Sequence, residues 1–258
     1  EALGLPRAAS PLVKALVGWA LDAGGGDVIA PVPGVLTDHR AALAALPETW
    51  RVRLLPLTPG DPGACAAALA AVAPPGAGPG PDGAGEIETI LREQEAGARD
   101  SDRVAGWLRG LWEPGLPGDP GPASPARDRL PLLALGPWTL FDDLPVRLEA
   151  LGGRVVWDEL GAQGARLARA QDPAAALAAW PALDPARRLD AIRGAVARTG
   201  ARGVILVMEA FTGALLDEPW LRGHLGLPLL ALEAEAPGAL DSNRRLRLEA
   251  FLHLVGGA

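Results

Sequence analysis

The run Gly203-Val-Ile-Leu-Val-Met208 constrains the chain more than any other stretch. It is apolar throughout and β-branched at three positions, so it offers no polar face to water. Such a run reads as a strand covered on both faces, the situation of a parallel sheet with helices above and below. A turn at Phe211-Thr212-Gly213, a helix to about His224, a short apolar strand over Pro228–Leu232 and a closing helix follow it. On that helix Leu248, Phe251, Leu252 and Val255 fall on one face, with Arg245, Arg247 and Glu249 mostly off it. A β-α-β-α ending places function at the carboxyl ends of the strands, near Phe211, Thr212 and Glu233.

The same alternation extends upstream. Leu130–Gly136 and Arg154–Trp157 read as strands, with helices over Asp142–Leu151, Gly164–Ala170 and Asp184–Thr199. Strands near 131, 154, 204 and 228 predict a four-stranded parallel sheet with right-handed crossovers. Nearer the start, Ser10-Pro11 opens a helix with Ser as N-cap and Pro at N1. Asp27–Val32, a helix over Thr37–Leu46 and Val52–Pro56 form a βαβ unit, followed by an Ala-rich helix at Pro62–Val72. Two Gly/Pro-rich stretches, Ala73–Gly85 and Pro114–Pro125, read as linkers, and the apolar spacing between them predicts one helical segment over Glu86–Trp112. The expected division is an N-terminal α/β lobe over 1–85, a helical connector and linker over 86–127, and a C-terminal α/β lobe over 128–258.

A formal charge of −7 argues against nucleic acid or an anionic membrane as a main partner. Cys65 is the only cysteine, so no intrachain disulfide can form, and its Ala-rich surroundings predict a buried, inert thiol. The longest uncharged run, Pro62–Pro81, has too many prolines and too few large apolar residues to cross a bilayer. A cytoplasmic protein is the expectation.

Three phrases in order carry a resemblance. They are Asp27-Val-Ile-Ala-Pro31 with Thr37-Asp38; Leu132-Leu-Ala-Leu-Gly-Pro137 with Gly153-Arg-Val-Val156 and Asp158-Glu159; and Gly203-Val-Ile205 with Phe211, Glu233 and Arg245-Leu-Arg-Leu-Glu-Ala-Phe251. Together they resemble the D-component of 2-hydroxyacyl-CoA dehydratases and benzoyl-CoA reductases, over nearly the whole chain and most weakly between Ala64 and Arg129. The resemblance implies α/β architecture: two flavodoxin-like or Rossmann-like parallel-sheet lobes joined by a helical segment, with a cleft between them. It also implies a [4Fe–4S] cluster, fed one electron by an ATP-driven activator and used to reduce a thioester carbonyl to a ketyl radical. The family's cluster cysteines align with Ser10, Thr37 and Thr212. Iron–sulfur clusters need soft thiolate ligands, and hydroxyls do not replace them. The expectation is therefore a degenerate member with no cluster, pairing with a homologous subunit as a heterodimer or with itself as a homodimer. An acyl-CoA thioester remains an alternative ligand, held near Asp38, Glu159, Arg166 and Glu233, with Arg154 and Arg244 as further partners for its phosphates.

Each remaining candidate has a bland reading beside the chemical one. Asp38-His39 suits an acid/base pair, or a first-turn carboxylate on the helix dipole. Asp142-Asp143 read as caps. Asp158-Glu159, beside Gly161-Ala-Gln-Gly164, suits an anion at the next helix N-terminus with Arg166 nearby, or a structural turn. His224 and His253 read as surface residues, and the three histidines form no metal set. Gly76-x-Gly78-x-Gly80 follows a helix and contains prolines, so it is no dinucleotide fingerprint, and neither a P-loop nor G-x-S-x-G is present.

Overall fold

The computed structural model describes residues 26–33, 50–57, 61–72, 83–112, 128–170, 175–176, 185–210 and 217–257. Among them are six strands in two all-parallel sheets and eight helices. Strands β1 (Gly26–Pro33) and β2 (Trp50–Leu57) pair from Gly26↔Trp50 to Pro33↔Leu57. Helix α1 (Pro62–Val72) follows, capped by Asp61, whose Oδ1 accepts from Ala64 N at 2.9 Å. Cys65 sits fully buried on it. Ser10, Thr37, Asp38 and Thr212 lie outside the described residues, as do the expected helices over Ser10–Leu21 and Thr37–Leu46.

The larger sheet contains β3 (Leu130–Leu135), β4 (Gly153–Asp158), β5 (Gly203–Glu209) and β6 (Leu229–Ala234) in the order β4-β3-β5-β6. Every residue of β4, and all of β5 but Glu209, is buried, as their unbroken apolar pattern requires. Helices α4 (Leu144–Ala150) and α8 (Ser242–Gly256) share one core with Leu132, Val155, Ile205 and Leu232. Helices α6 (Pro185–Thr199) and α7 (Asp217–His224) cover the opposite face through Ile192, Ala195 and Leu221. Chain direction across the sheet reverses between β3 and β5, so helices fall on both faces. Gly203 permits α8 to lie close: a Cβ there would stand 2.8 Å from Phe251 Cζ.

Two expectations change. The helical stretch over Glu86–Trp112 is two helices, α2 (Gly83–Glu95) and α3 (Ser101–Trp112), and the first begins inside the expected linker. Gly97, at φ +67°, ends α2: its N–H reaches Gln94 O at 2.8 Å and Ala98 N–H reaches Glu93 O at 2.8 Å, the paired bonds of a Schellman turn. The turn then packs along β4, the sheet edge. Val155 N donates to Ser101 Oγ at 2.8 Å, satisfying an edge N–H that another strand would otherwise claim. Ile90 of α2 and Val104, Trp107 and Leu108 of α3 share the core of Leu132 and Leu148. Helix α5 (Glu159–Arg169) also starts five residues before the expected Gly164, directly at the end of β4. Asp158 acts as its N-cap, with Oδ1 accepting from Gly161 N at 2.7 Å, so the glycines belong to a helix rather than a turn.

Candidate functional site

The carboxyl ends of β3 and β4 carry a buried ionic hub. Glu159, 4% exposed, stands at the first turn of α5. Its Oε2 accepts from Gly136 N at 3.0 Å and from Arg188 Nη2 at 2.8 Å, and its Oε1 accepts from Arg188 Nε at 2.6 Å. Arg188 also pairs with Asp217 at the start of α7, so one guanidinium ties α5, α6 and α7 to the β3 turn. Burial favours neutral Arg188, but the charges and hydrogen bonds of Glu159 and Asp217 outweigh it and raise the guanidinium's pKa. Gly136 is obligatory in this turn, with φ +68° and space such that a Cβ would lie 2.2 Å from Val207 O.

A β-bulge prepares the next layer. Leu132 pairs with Val155 but Leu133 pairs with Trp157, so Val156 is the extra residue. Val156 and Trp157 consequently join the same core, and alternation beyond them is inverted. Asp158 ends up fully buried beside Gln94 and Trp138, themselves 0% and 1% exposed. Desolvation raises its pKa, outweighing the Gly161 N–H, the neighbouring Gln94 and Trp138 side chains, and opposing none of the push from Glu159. The Gln94 amide, Trp138 Nε1 and Asp158 Oδ2 approach one another without closing well-formed hydrogen bonds.

Between α2, α5 and α6 opens a cavity of about 310 Å³. Trp157 lies in its wall with Glu159 and Arg188, and Arg92, Arg166 and Arg198 surround it. The structure thus brings two residues singled out in the sequence, Glu159 and Arg166, to one site. Glu233 is elsewhere: it is the one exposed residue of β6, the sheet edge opposite β4, about 14 Å away at three strand spacings. Arg154 cannot serve an external phosphate, because it is buried and its guanidinium bonds to Gly97 O and, at 2.7 Å, to Asp100. Arg244 pairs with Asp241 and lies over the Phe141 ring. Asp143 begins α4 without a side-chain cap bond. It accepts instead from Leu240 N at 2.7 Å and pairs with Arg147 and Arg245; burial pushes its pKa up, but these partners hold it below the ordinary value. His224 and His253 are both exposed, and among the described residues no cluster of metal-ligating side chains occurs.

A family model described as 2-hydroxyglutaryl-CoA dehydratase, D-component, matches residues 98–255, more than half of the chain. The chain belongs to this dehydratase D-component family. No curated protein matches it. The D-component match begins in the turn after α2 and ends in α8, so it holds the four-stranded sheet and the ionic hub. Helix α2, one wall of the cavity, lies outside it. Among the described residues no helix is long and apolar enough to cross a membrane. Arg188, Asp217, Gln94 and Trp138 were not legible as site residues. Nothing in Arg187-Arg188 marks which guanidinium turns inward; only the position of Glu159 at a strand end hinted that a cation should meet it.

Proposed function

We propose that this chain is a cluster-less dehydratase D-component-like subunit, a non-catalytic accessory partner of a homologue that carries the [4Fe–4S] cluster. One observation carries the reading: 258 residues contain a single cysteine, and that residue, Cys65, is buried on an Ala-rich helix. One thiolate does not hold a cubane, so the donor set does not fit the cluster, and an electron delivered by an activator has no acceptor here. The resemblance puts Ser10, Thr37 and Thr212 at the ligand positions, where a neutral hydroxyl binds iron poorly. Two lobes, 1–85 and 128–258, joined through 86–127, form the expected frame; the presence of two separate parallel sheets supports it. We place the protein in the cytoplasm, where a single unpaired cysteine is at home.

A docking surface for the homologue is suggested by α8. Beyond its buried stripe it carries Leu246 and Leu254, each 66% exposed, two turns apart with exposed Ala250 between them. Co-expression with a cysteine-bearing homologue should give a stable pair, and Leu246→Glu with Leu254→Glu should abolish it without lowering the melting temperature of the chain alone. A chain that stays monomeric beside every such homologue contradicts the reading.

A second reading is an acyl-CoA-binding protein or non-redox enzyme using the inter-lobe cleft; two of the residues it calls on, Glu159 and Arg166, line one arginine-rich cavity, which would take only part of the thioester. Calorimetric titration with a CoA thioester tests it, and no heat at millimolar ligand removes it.

A further inference from the structure

We propose that the cavity between α2, α5 and α6 binds a small organic anion: a carboxylate or phosphate monoester with an apolar body. The charges lining it are not all paired. Arg188 is neutralised by Glu159 and Asp217, and Arg198 pairs with Glu95 at 3.0 Å across the cavity. Arg92 on α2 and Arg166 on α5 remain, each without an ion-pair partner among the described residues, against one further carboxylate, Glu88. The charges balance once Asp217 is counted, but these two guanidinium groups line the cavity without a bound carboxylate among the described residues, on a chain of net charge −7. Repulsion by the rest of the surface is screened beyond about 8 Å at physiological salt, whereas contact with two guanidinium groups is not. Arginine presents a planar fork of donors that matches carboxylate and phosphate oxygens.

Leu91, Trp157 and Ile192 supply apolar surface beneath these cations, so the ligand needs an apolar portion as well as a charged head. A volume of about 310 Å³ stands at the lower end for small-molecule pockets and is too small to enclose a whole CoA thioester. The walls are held apart by contacts that do not involve Arg92 or Arg166. Glu159 and Arg188 fix α5 to α6, and Arg198–Glu95 ties α6 to α2. The proposal is independent of the CoA reading, since the ligand is smaller and α2 lies outside the family match.

Calorimetry on the full chain with phenyl phosphate and phenylacetate tests it, with inorganic phosphate and a CoA thioester alongside. At least one phenyl anion should bind, weaken with added salt, and lose about tenfold or more in affinity in Arg92→Ala/Arg166→Ala. Both arginines are exposed, so the double variant should melt as the parent does. Arg193→Ala should bind normally, because Arg193 is outside the cavity and donates to His224 O. The preferred phenyl anion identifies the head group. The proposal is overturned if neither gives heat at about 10 mM, if the double variant binds like the parent, or if inorganic phosphate binds as tightly as phenyl phosphate. Absence of heat with the CoA thioester alone removes the CoA reading and leaves this one standing.

Discussion

Replacing Glu159 with Ala removes three hydrogen bonds at once: one from Gly136 N and two from Arg188. The carboxylate side chain is 6% exposed and the guanidinium 11%, so neither is screened by water as a surface pair would be. Removing one member of such a pair strands the other, which typically costs about 3–5 kcal/mol. Asp217 stays beside Arg188, but its side chain is 42% exposed and already hydrated, so it compensates only in part. The expected loss is therefore at the lower end, about 3 kcal/mol. Glu159→Gln keeps the shape and an acceptor for Gly136 N but forfeits the charge, and should lose about 2 kcal/mol. Urea unfolding followed by tryptophan fluorescence measures both, with Trp157 beside the hub as reporter. Combined with Arg188→Ala, the Glu159→Ala loss should be strongly non-additive, because the second change removes the stranded cation. A loss below about 1 kcal/mol for Glu159→Ala, or simple additivity in the cycle, would refute the hub as a structural tie.

Asp158 gives a pH signature. Its pKa is raised by burial, so between the unfolded carboxyl's value of 3.8 and the higher folded value the native state holds a proton that the unfolded chain releases. Stability contributed at this position is thus greatest below 3.8 and declines as pH rises through that interval. Asp158→Asn should stabilise progressively relative to the parent as urea melts move from acid toward neutral pH; a pH-independent difference would contradict this. Gly136→Ala places a methyl group against Val207 O in a left-handed backbone, and should lower the melting temperature sharply or abolish soluble expression. A melt within a degree or two of the parent would show that the turn relaxes freely.

The parts of this fold legible in the sequence are those whose signal is local. Gly203–Met208 and Pro228–Leu232 announce themselves as continuous apolar runs and supply most of β5 and β6, and the inner face of α8 follows from Leu248, Phe251, Leu252 and Val255, all buried. The break at Gly97 was hidden because Ala96–Asp100 interrupts no apolar period: the stretch from Arg92 to Arg103 has almost none to interrupt. Helix α5 began early for a similar reason. Gly161 and Gly164 suggest a turn, whereas the bond from Gly161 N to Asp158 shows that Asp158 starts a helix. Glu159 was visible as a carboxylate at a strand end, but its partner Arg188 lies 29 residues on. No spacing rule links them, because the contact is made by the crossover from β4 to β5. The bulge at Val156 is likewise a property of pairing with β3 and leaves no trace in Arg154-Val-Val-Trp157.

The most direct measurement is iron and acid-labile sulfide in the chain purified alone under strict anaerobiosis after expression with excess iron. A D-component-like chain whose sole thiol is the buried Cys65 should retain neither after gel filtration. About four iron and four sulfide per chain would mean that ligands other than cysteine hold a cubane here, and would contradict the account.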